Sequence, residues 1–354
     1  MNQPVRFGII GTGMIARFHA QALREMPSAS LHAVHDAIPA RAEAMAAEFG
    51  VRAHASLDEF LADPALEVVT VCTPSGAHLE PALAALQAGK HVICEKPLEV
   101  TTKRIDTLLA AARSAGVSLS GIFNRRFHPA VEALKAAVDR GRFGKLALVE
   151  VAVKWWREQS YYDSGAWRGT WALDGGGALM NQSIHLVDQL LFLCGDVEWV
   201  QGNTACLAHE RIEVEDTATA IVQFAGGPLG VITGSTACWS ATGHPAEVQL
   251  CGSRGSAFLA DESFKVWDFA DPAPEDEAVR ATLMAGAAAG PGLGANDPKA
   301  INYTGHIRNF EDVVAAIRAG REPSVSGREA RRAVAVIEAI YRSAREGGAR
   351  VVPG

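Results

Sequence analysis

Val5-Arg6-Phe7-Gly8-Ile9-Ile10 reads as a short strand and runs straight into Gly11-Thr12-Gly13-Met14-Ile15-Ala16. A strand that ends in G-x-G-x-x-A and opens a helix leaves few folds available. Gly11 permits the tight turn, Gly13 lets a pyrophosphate approach the backbone, and Ala16 lets helix and strand pack closely. The helix N-terminus offers free N–H groups and a positive dipole end to phosphates. Helical character continues over 15–26, a second strand follows over 31–35, and it ends at Asp36. A carboxylate there suits the ribose hydroxyls of an adenosine and repels a 2′-phosphate. The expectation is an NAD site, preferred over NADP, with Gly11, Gly13, Met14, Ile15 and Asp36 at the cofactor. The competing reading is a glycine turn that binds nothing.

Strand-like and helical runs keep alternating to about residue 123, which predicts a doubly wound parallel sheet. Two segments fall where strand C-termini meet the crevice of such a sheet. Thr73-Pro74-Ser75-Gly76-Ala77-His78 follows the strand at 68–72, and Glu95-Lys96-Pro97 follows the strand at 91–94. Thr73, Pro74, His78, Glu95 and Lys96 are therefore further cofactor candidates. A lysine there can point at the nicotinamide end, where desolvation and nearby positive charge lower its pKa toward a catalytic value. The alternative is a surface Lys–Glu turn.

After residue 124 the pattern changes. Strands are predicted over 146–156, 198–207, 217–224, 229–236, 246–251, 256–260 and 264–269, separated by glycine turns, as in an antiparallel sheet. The chain of 354 residues thus divides into a domain over 1–123 and a second α/β domain over 124–354. A helix over 180–193 puts Asn181, His185 and Asp188 on one side, behind the run Gly175-Gly176-Gly177. Arg125, Arg126, Arg157 and Arg168 are candidates for a carboxylate or diphosphate, or else for surface ion pairs. Trp155, Trp156, Trp167 and Trp171 offer sugar-stacking faces, or serve the core. Tyr303 and His306 are further pocket candidates. Residues 271–300 have no clear periodicity and read as a loop or spacer.

A net charge of −7 gives no electrostatic help toward nucleic acid or an anionic membrane. No secretory signal or membrane-length apolar run is visible, which fits a cytoplasmic chain. The six cysteines include no C-x-x-C pair, so no metal site is expected.

The glycine turn, Asp36, Thr73-Pro74 with His78, and Glu95-Lys96-Pro97 resemble the glucose-fructose oxidoreductase / inositol dehydrogenase / rhizopine catabolism (Gfo/Idh/MocA) family. So do the run from Gly175 to Asp188 and Ser326-Gly327-Arg328-Glu329-Ala330. The resemblance implies a Rossmann domain followed by an α/β domain on a large, open, mostly antiparallel sheet. It places the family's catalytic lysine on Lys96 and its catalytic histidine on His185. Many members carry aspartate where this chain has Asn181, which orients but cannot accept a proton as a carboxylate does. Asn124-Arg125-Arg126, Tyr161-Tyr162-Asp163, the segment from Gly165 to Trp171 and the run from Ile212 to Thr217 resemble the branch of UDP-N-acetyl-glucosaminuronate 3-dehydrogenases.

These readings converge on hydride transfer from a secondary hydroxyl, at C3 of a sugar or nucleotide-sugar uronate, to NAD. Lys96, His185 and Asn181 form the expected catalytic set, and Arg125, Arg126, Trp167, Arg168, Asn181, His185 and Tyr303 the expected substrate contacts. The alternatives are an enzyme of a free sugar, cyclitol or glycoside, or a non-catalytic regulator that binds NAD or sugar. The open sheet implied by the resemblance points to a homodimer or homotetramer.

Overall fold

The structure, a computed structural model, describes residues 3–284 and 303–354 in two compact units. The first unit holds β1 (Val5–Ile10), β2 (Ala29–His35), β3 (Arg52–Ala53), β4 (Val68–Val71), β5 (His91–Cys94) and β6 (Leu119–Gly121). They form one parallel sheet in the order β3-β2-β1-β4-β5-β6. Helices α1 (Met14–Glu25), α2 (Pro39–Phe49), α3 (Leu57–Ala62), α4 (Leu79–Gln87) and α5 (Thr102–Ala115) connect the strands. Strand order reverses between β1 and β4, and ligands of such sheets bind in the crevice at that switch. All four residues of β4 are buried, the mark of a strand covered on both faces.

The second unit begins with α6 (Pro129–Asp139), β7 (Leu146–Lys154), α7 (Gln159–Asp163) and α8 (Ile184–Cys194). It continues through β8 (Val197–Ala205), β9 (Thr217–Phe224), β10 (Leu229–Ser235), β11 (Glu247–Gly252), β12 (Gly255–Ala260), β13 (Ser263–Phe269) and α9 (Glu275–Thr282). The sheet order is β13-β12-β11-β7-β10-β9-β8, antiparallel except where β7 and β10 run parallel. Along β9, Ala218, Ala220, Val222 and Phe224 are buried while Thr219 and Ile221 are exposed, so one face meets the core. Helix α8 packs against β7 and β11. On the bare face Leu148, Ile221 and Leu229 are 47%, 48% and 49% exposed, and Leu229 lies opposite Leu148 in register.

Two expectations change. A single continuous second domain is not what forms, because α10 (Thr304–Ala319) and the start of α11 (Gly327–Arg345) return to the first unit. Phe310, Val313 and Val314 of α10 complete a core with Phe7, Leu23, Val68 and Ile93, so the apolar face of α10 belongs to β1 and α1. The segment read as a loop over 271–300 contains α9, opened by Glu275, Asp276 and Glu277 in its first turn. Its remainder from 285 lies outside the described residues. Among the described residues no helix is long and apolar enough to cross a membrane.

Candidate active site

In the first unit the glycine turn has the geometry that its spacing implies. Gly11 sits at φ 86, and a Cβ there would lie 2.9 Å from the Cys72 carbonyl, so no side chain fits. Gly13 precedes α1 and faces open space, and no side chain caps the helix N-terminus. That leaves N–H groups at the first turn to meet a diphosphate. Ile15 packs beside the core of Ile9, Ala16 and Val34, while Met14 at the same turn is exposed. One oxygen of Asp36 accepts from the Thr12 N–H and hydroxyl, both at 2.8 Å, and the other from the Ile38 N–H at 2.9 Å. Burial pushes this carboxyl up, but hydrogen bonds from Ile38 and Thr12 outweigh it and hold the group below its ordinary range. An ionised Asp36 keeps one lone-pair site for a ribose hydroxyl.

The two crevice segments separate into surface and buried parts. The Thr73 hydroxyl donates to the Ala77 carbonyl at 2.8 Å and shapes the loop that Pro74 opens. His78 is buried, and its ring nitrogens lie 2.9 Å from the carbonyls of Pro97 and Thr73. It lies between the two loops, where one ring N–H can donate to either carbonyl. Glu95 also turns inward, and its Oε2 accepts the Lys96 N–H at 3.0 Å. Its side chain is buried beside His19.

In the second unit the helix expected over 180–193 opens as a π-helical turn, Ala178–Ser183, and becomes α8 at Ile184. Such turns occur often at functional sites. A Cβ on Gly176 would lie 2.1 Å from the Tyr341 hydroxyl, and one on Gly177 would lie 1.7 Å from the Glu215 carbonyl oxygen. The glycines thus admit two groups that fasten the turn. Glu215 accepts from the N–H groups of Gly177 at 3.0 Å and Leu179 at 2.8 Å, and from the Tyr341 hydroxyl at 2.9 Å. Neither Glu215 nor Tyr341 was foreseen as a site residue. The only trace was the unassigned Glu215 in the run from Ile212 to Thr217.

Burial pushes Glu215 up to about 7 despite those three donors. A carboxyl whose folded pKa is raised stabilises the fold below its unfolded pKa and loses that contribution as pH climbs through 7. Glu215→Gln should therefore compare better with wild type at pH 8 than at pH 5. Thermal melts of both proteins at the two pH values check this, and an equal gap at both would refute it.

Asn181 and Gln182 lie on the π-helical turn, and His185 follows on the first turn of α8. The Asn181 amide donates to Asp174 in a short hydrogen bond, and its oxygen accepts from Gln182 Nε2 at 3.0 Å. A carboxylate therefore stands beside the asparagine after all, contributed by Asp174, a buried residue with no sequence signal. Gln182 Nε2 also donates to the Tyr161 hydroxyl at 3.1 Å, and its oxygen accepts from Arg157 Nη2 at 3.0 Å. The guanidinium of Arg168 lies 4.9 Å from the Tyr161 ring centre and 4.7 Å from that of Trp167. Among the described residues no carboxylate pairs with Arg168.

Three residues expected at the substrate have other neighbours in the structure. Arg126 is 5% exposed and grips Asp188 with two hydrogen bonds, of 2.8 and 2.6 Å, under α8. It is a core ion pair, and Asp188 is its structural partner on α8. Arg125 is half-buried and lies near the charges of Asp261 and Glu262. The Tyr303 hydroxyl donates to Glu25 at 2.5 Å, on the last turn of α1, at the opposite end of that helix from the glycine turn.

Comparison with known proteins agrees with this geometry. The model of the oxidoreductase family with an NAD-binding Rossmann fold matches residues 5–123, and that of the GFO/IDH/MocA C-terminal domain matches 131–258. The WlbA dehydrogenase from Bordetella pertussis, solved with NADH and UDP-GlcNAcA, superposes at a TM-score of 0.89 with 34% identity, covering 99% of this chain and 98% of that one. The WlbA enzyme of Chromobacterium violaceum, solved with the same two ligands, gives 0.87 and 33%, covering 99% and 96%. Inositol 2-dehydrogenase of Rhizobium meliloti is 29% identical over 97% of both chains. The glycine turn, the inward Glu95, the fastened π-helical turn and these matches together make the chain a member of the Gfo/Idh/MocA family of NAD-dependent oxidoreductases.

Proposed function

We propose that this chain oxidises the C3 hydroxyl of a nucleotide-linked uronic sugar, of the class of UDP-N-acetylglucosaminuronate, with NAD as acceptor. One observation carries the uronate reading beyond a general sugar dehydrogenase. Arg168 lies over two aromatic rings with no carboxylate partner, and Tyr161, Gln182 and Asn181 connect it to the segment that bears His185. A stacked guanidinium of that kind is a receptor for a carboxylate or phosphate oxygen. The similarity to the two WlbA enzymes supports the same substrate class.

His185 takes the hydroxyl proton as the carbinol C–H bond breaks, and the amine of Lys96 hydrogen-bonds the same oxygen as negative charge develops on it. Bound NAD supplies the hydride acceptor. Asn181 and Asp174 orient the start of α8. The test is NADH absorbance with a panel of UDP-uronates, free glucose, inositols and glycosides. Turnover with the UDP-uronate is expected. Arg168→Ala should raise its KM by about 10- to 100-fold, the loss of one charge-assisted contact of ~1.5–3 kcal/mol. Arg168→Lys should not restore it, since the ammonium lacks the planar fork. Turnover with myo-inositol alone would favour the second reading, a cyclitol dehydrogenase, which the Rhizobium relative supports.

The bare sheet face with Leu148, Ile221 and Leu229 is best covered by a second copy of this chain. Light scattering after size exclusion should give a dimer or tetramer. A monomer at micromolar concentration would sink this assignment.

A further inference from the structure

Directly behind Lys96 lies a buried cluster in which His19, Glu95 and His306 are 0%, 6% and 3% exposed. Its members come from α1, the end of β5 and the first turn of α10, all within the first unit. Glu95 Oε1 lies 2.8 Å from His19 Nε2 and 3.7 Å from His306 Nε2. Glu95 Oε2 receives the main-chain N–H of Lys96.

The remaining ring nitrogens settle the proton positions. His306 Nδ1 faces the Asn124 amide nitrogen at 3.3 Å, which donates, so the His306 proton sits on Nε2 and points at Glu95. His19 Nδ1 faces the Thr70 hydroxyl at 2.8 Å and the Cys72 thiol at 3.3 Å, which can donate to it, and its Nε2 faces a carboxylate that can only accept, so its proton also sits on Nε2. Both rings therefore turn an N–H toward one carboxylate oxygen, His19 in a hydrogen bond of 2.8 Å and His306 from 3.7 Å, and a backbone N–H holds the other. Burial lowers the His19 pKa more than Glu95 raises it, which keeps that ring neutral. Burial also works against the Glu95 charge, yet the histidines outweigh it and hold the carboxyl well below its ordinary range.

The three ligand atoms lie within 4.8 Å of one another, close enough to invite a cation. A tetrahedral zinc with ligands at ~2.1 Å would set them about 3.4 Å apart. The 2.8 Å contact is a hydrogen bond, and with the tautomers above both ring N–H groups face the carboxylate. The cluster needs no ion to be complete.

We propose that His19, Glu95 and His306 are positioning residues for Lys96. Held by both rings, the Glu95 carboxylate cannot turn, so the Lys96 N–H it grips is fixed and the lysine leaves β5 in one direction. His306 reaches the cluster from α10, far along the chain, so the return of that helix to the first unit completes the active lysine. The inference rests on the reading of Lys96 as the group that meets the reacting oxygen.

Two variants of His306 separate positioning from bulk. Gln places an amide near Nε2 and keeps the donor to Glu95, whereas Asn places it near Nδ1 and loses that donor. With the panel substrate that turns over, His306→Asn should lower kcat at least about tenfold, since a misplacement near 1 Å costs ~10²-fold. KM and NAD affinity should stay within threefold of wild type, a small change by the same scale, and His306→Gln should recover most of kcat. Acetylation of Lys96 in the NAD-loaded chain, followed by peptide mass mapping, reads the same lysine without substrate. Its rate should shift in the Asn variant and return in the Gln variant. Wild-type behaviour of His306→Asn in both readouts would overturn the proposal. So would equal losses in both variants with a lowered melting temperature, which mark a purely structural role. Near-normal turnover of Lys96→Met would instead remove the reading of Lys96 itself.

Discussion

Lys96→Met should lose ~10²–10³-fold in kcat while it still binds NAD, and His185→Ala should lose ~10²–10⁴-fold. The two losses arise differently. Methionine fills the space of lysine but leaves the oxygen that gains negative charge without its hydrogen-bond donor, which costs ~10²–10³-fold where one such donor is removed. Loss of the histidine removes the proton acceptor, and water replaces it poorly. If both groups act on one oxygen at one step, as proposed, the double variant should be little worse than the poorer single variant. NADH fluorescence should give cofactor affinities close to wild type for all three, because Gly11, Gly13 and Asp36 are untouched. If both single variants kept near-normal turnover, the chemistry would have to lie elsewhere in the chain.

How far the sequence revealed this arrangement depends on the range of the interactions. The turn from Gly11 to Ala16 and the acid at Asp36 form a local device, set by spacing along one β-α-β stretch, and could be read directly. The strands of the second unit were also legible. In β9, alternation of Ala218, Ala220, Val222 and Phe224 with polar or exposed neighbours marks one buried face. Helix α9 escaped notice because Ala, Gly, Pro and Asp on either side blur its period, although three acids open it. The site was legible only where its parts are contiguous. His19, Glu95 and His306 meet through the sheet and a returning helix, and nothing near any of them in sequence announces the other two. Glu215 and Tyr341 are distant from the glycines they fasten, so the glycine run told of a close approach but not of what approaches. Asp174 is a similar case, since only the fold brings its carboxylate beside Asn181.

Asp188→Asn or Asp188→Ala should destabilise the second unit by about 3–5 kcal/mol, the usual loss when one member of a buried ion pair is removed. Arg126 would be left charged, 5% exposed and without its two hydrogen bonds, beneath the helix that carries His185. Its guanidinium also lies 4.8 Å from the Phe192 ring centre, an apolar neighbour that cannot replace the lost hydrogen bonds. The loss should appear in thermal and urea melts, and activity should fall with the folded fraction. Arg126→Leu with Asp188→Leu should regain much of the stability, because removing both charges also removes the cost of burying them. Arg168→Ala is the contrasting case. It should lower the melt by no more than about 1 kcal/mol, as for a half-buried side chain that loses ring contacts but no ion pair, and act chiefly on KM. In the sequence Arg126 and Arg168 are equal candidates for an anionic substrate. What divides them is the partner that the fold provides. An arginine already bound to a carboxylate in the core holds the structure, and one stacked on rings without a carboxylate is left to receive an anion. Equal melts for Asp188→Ala and wild type would break that division and return Arg126 to the list of substrate contacts.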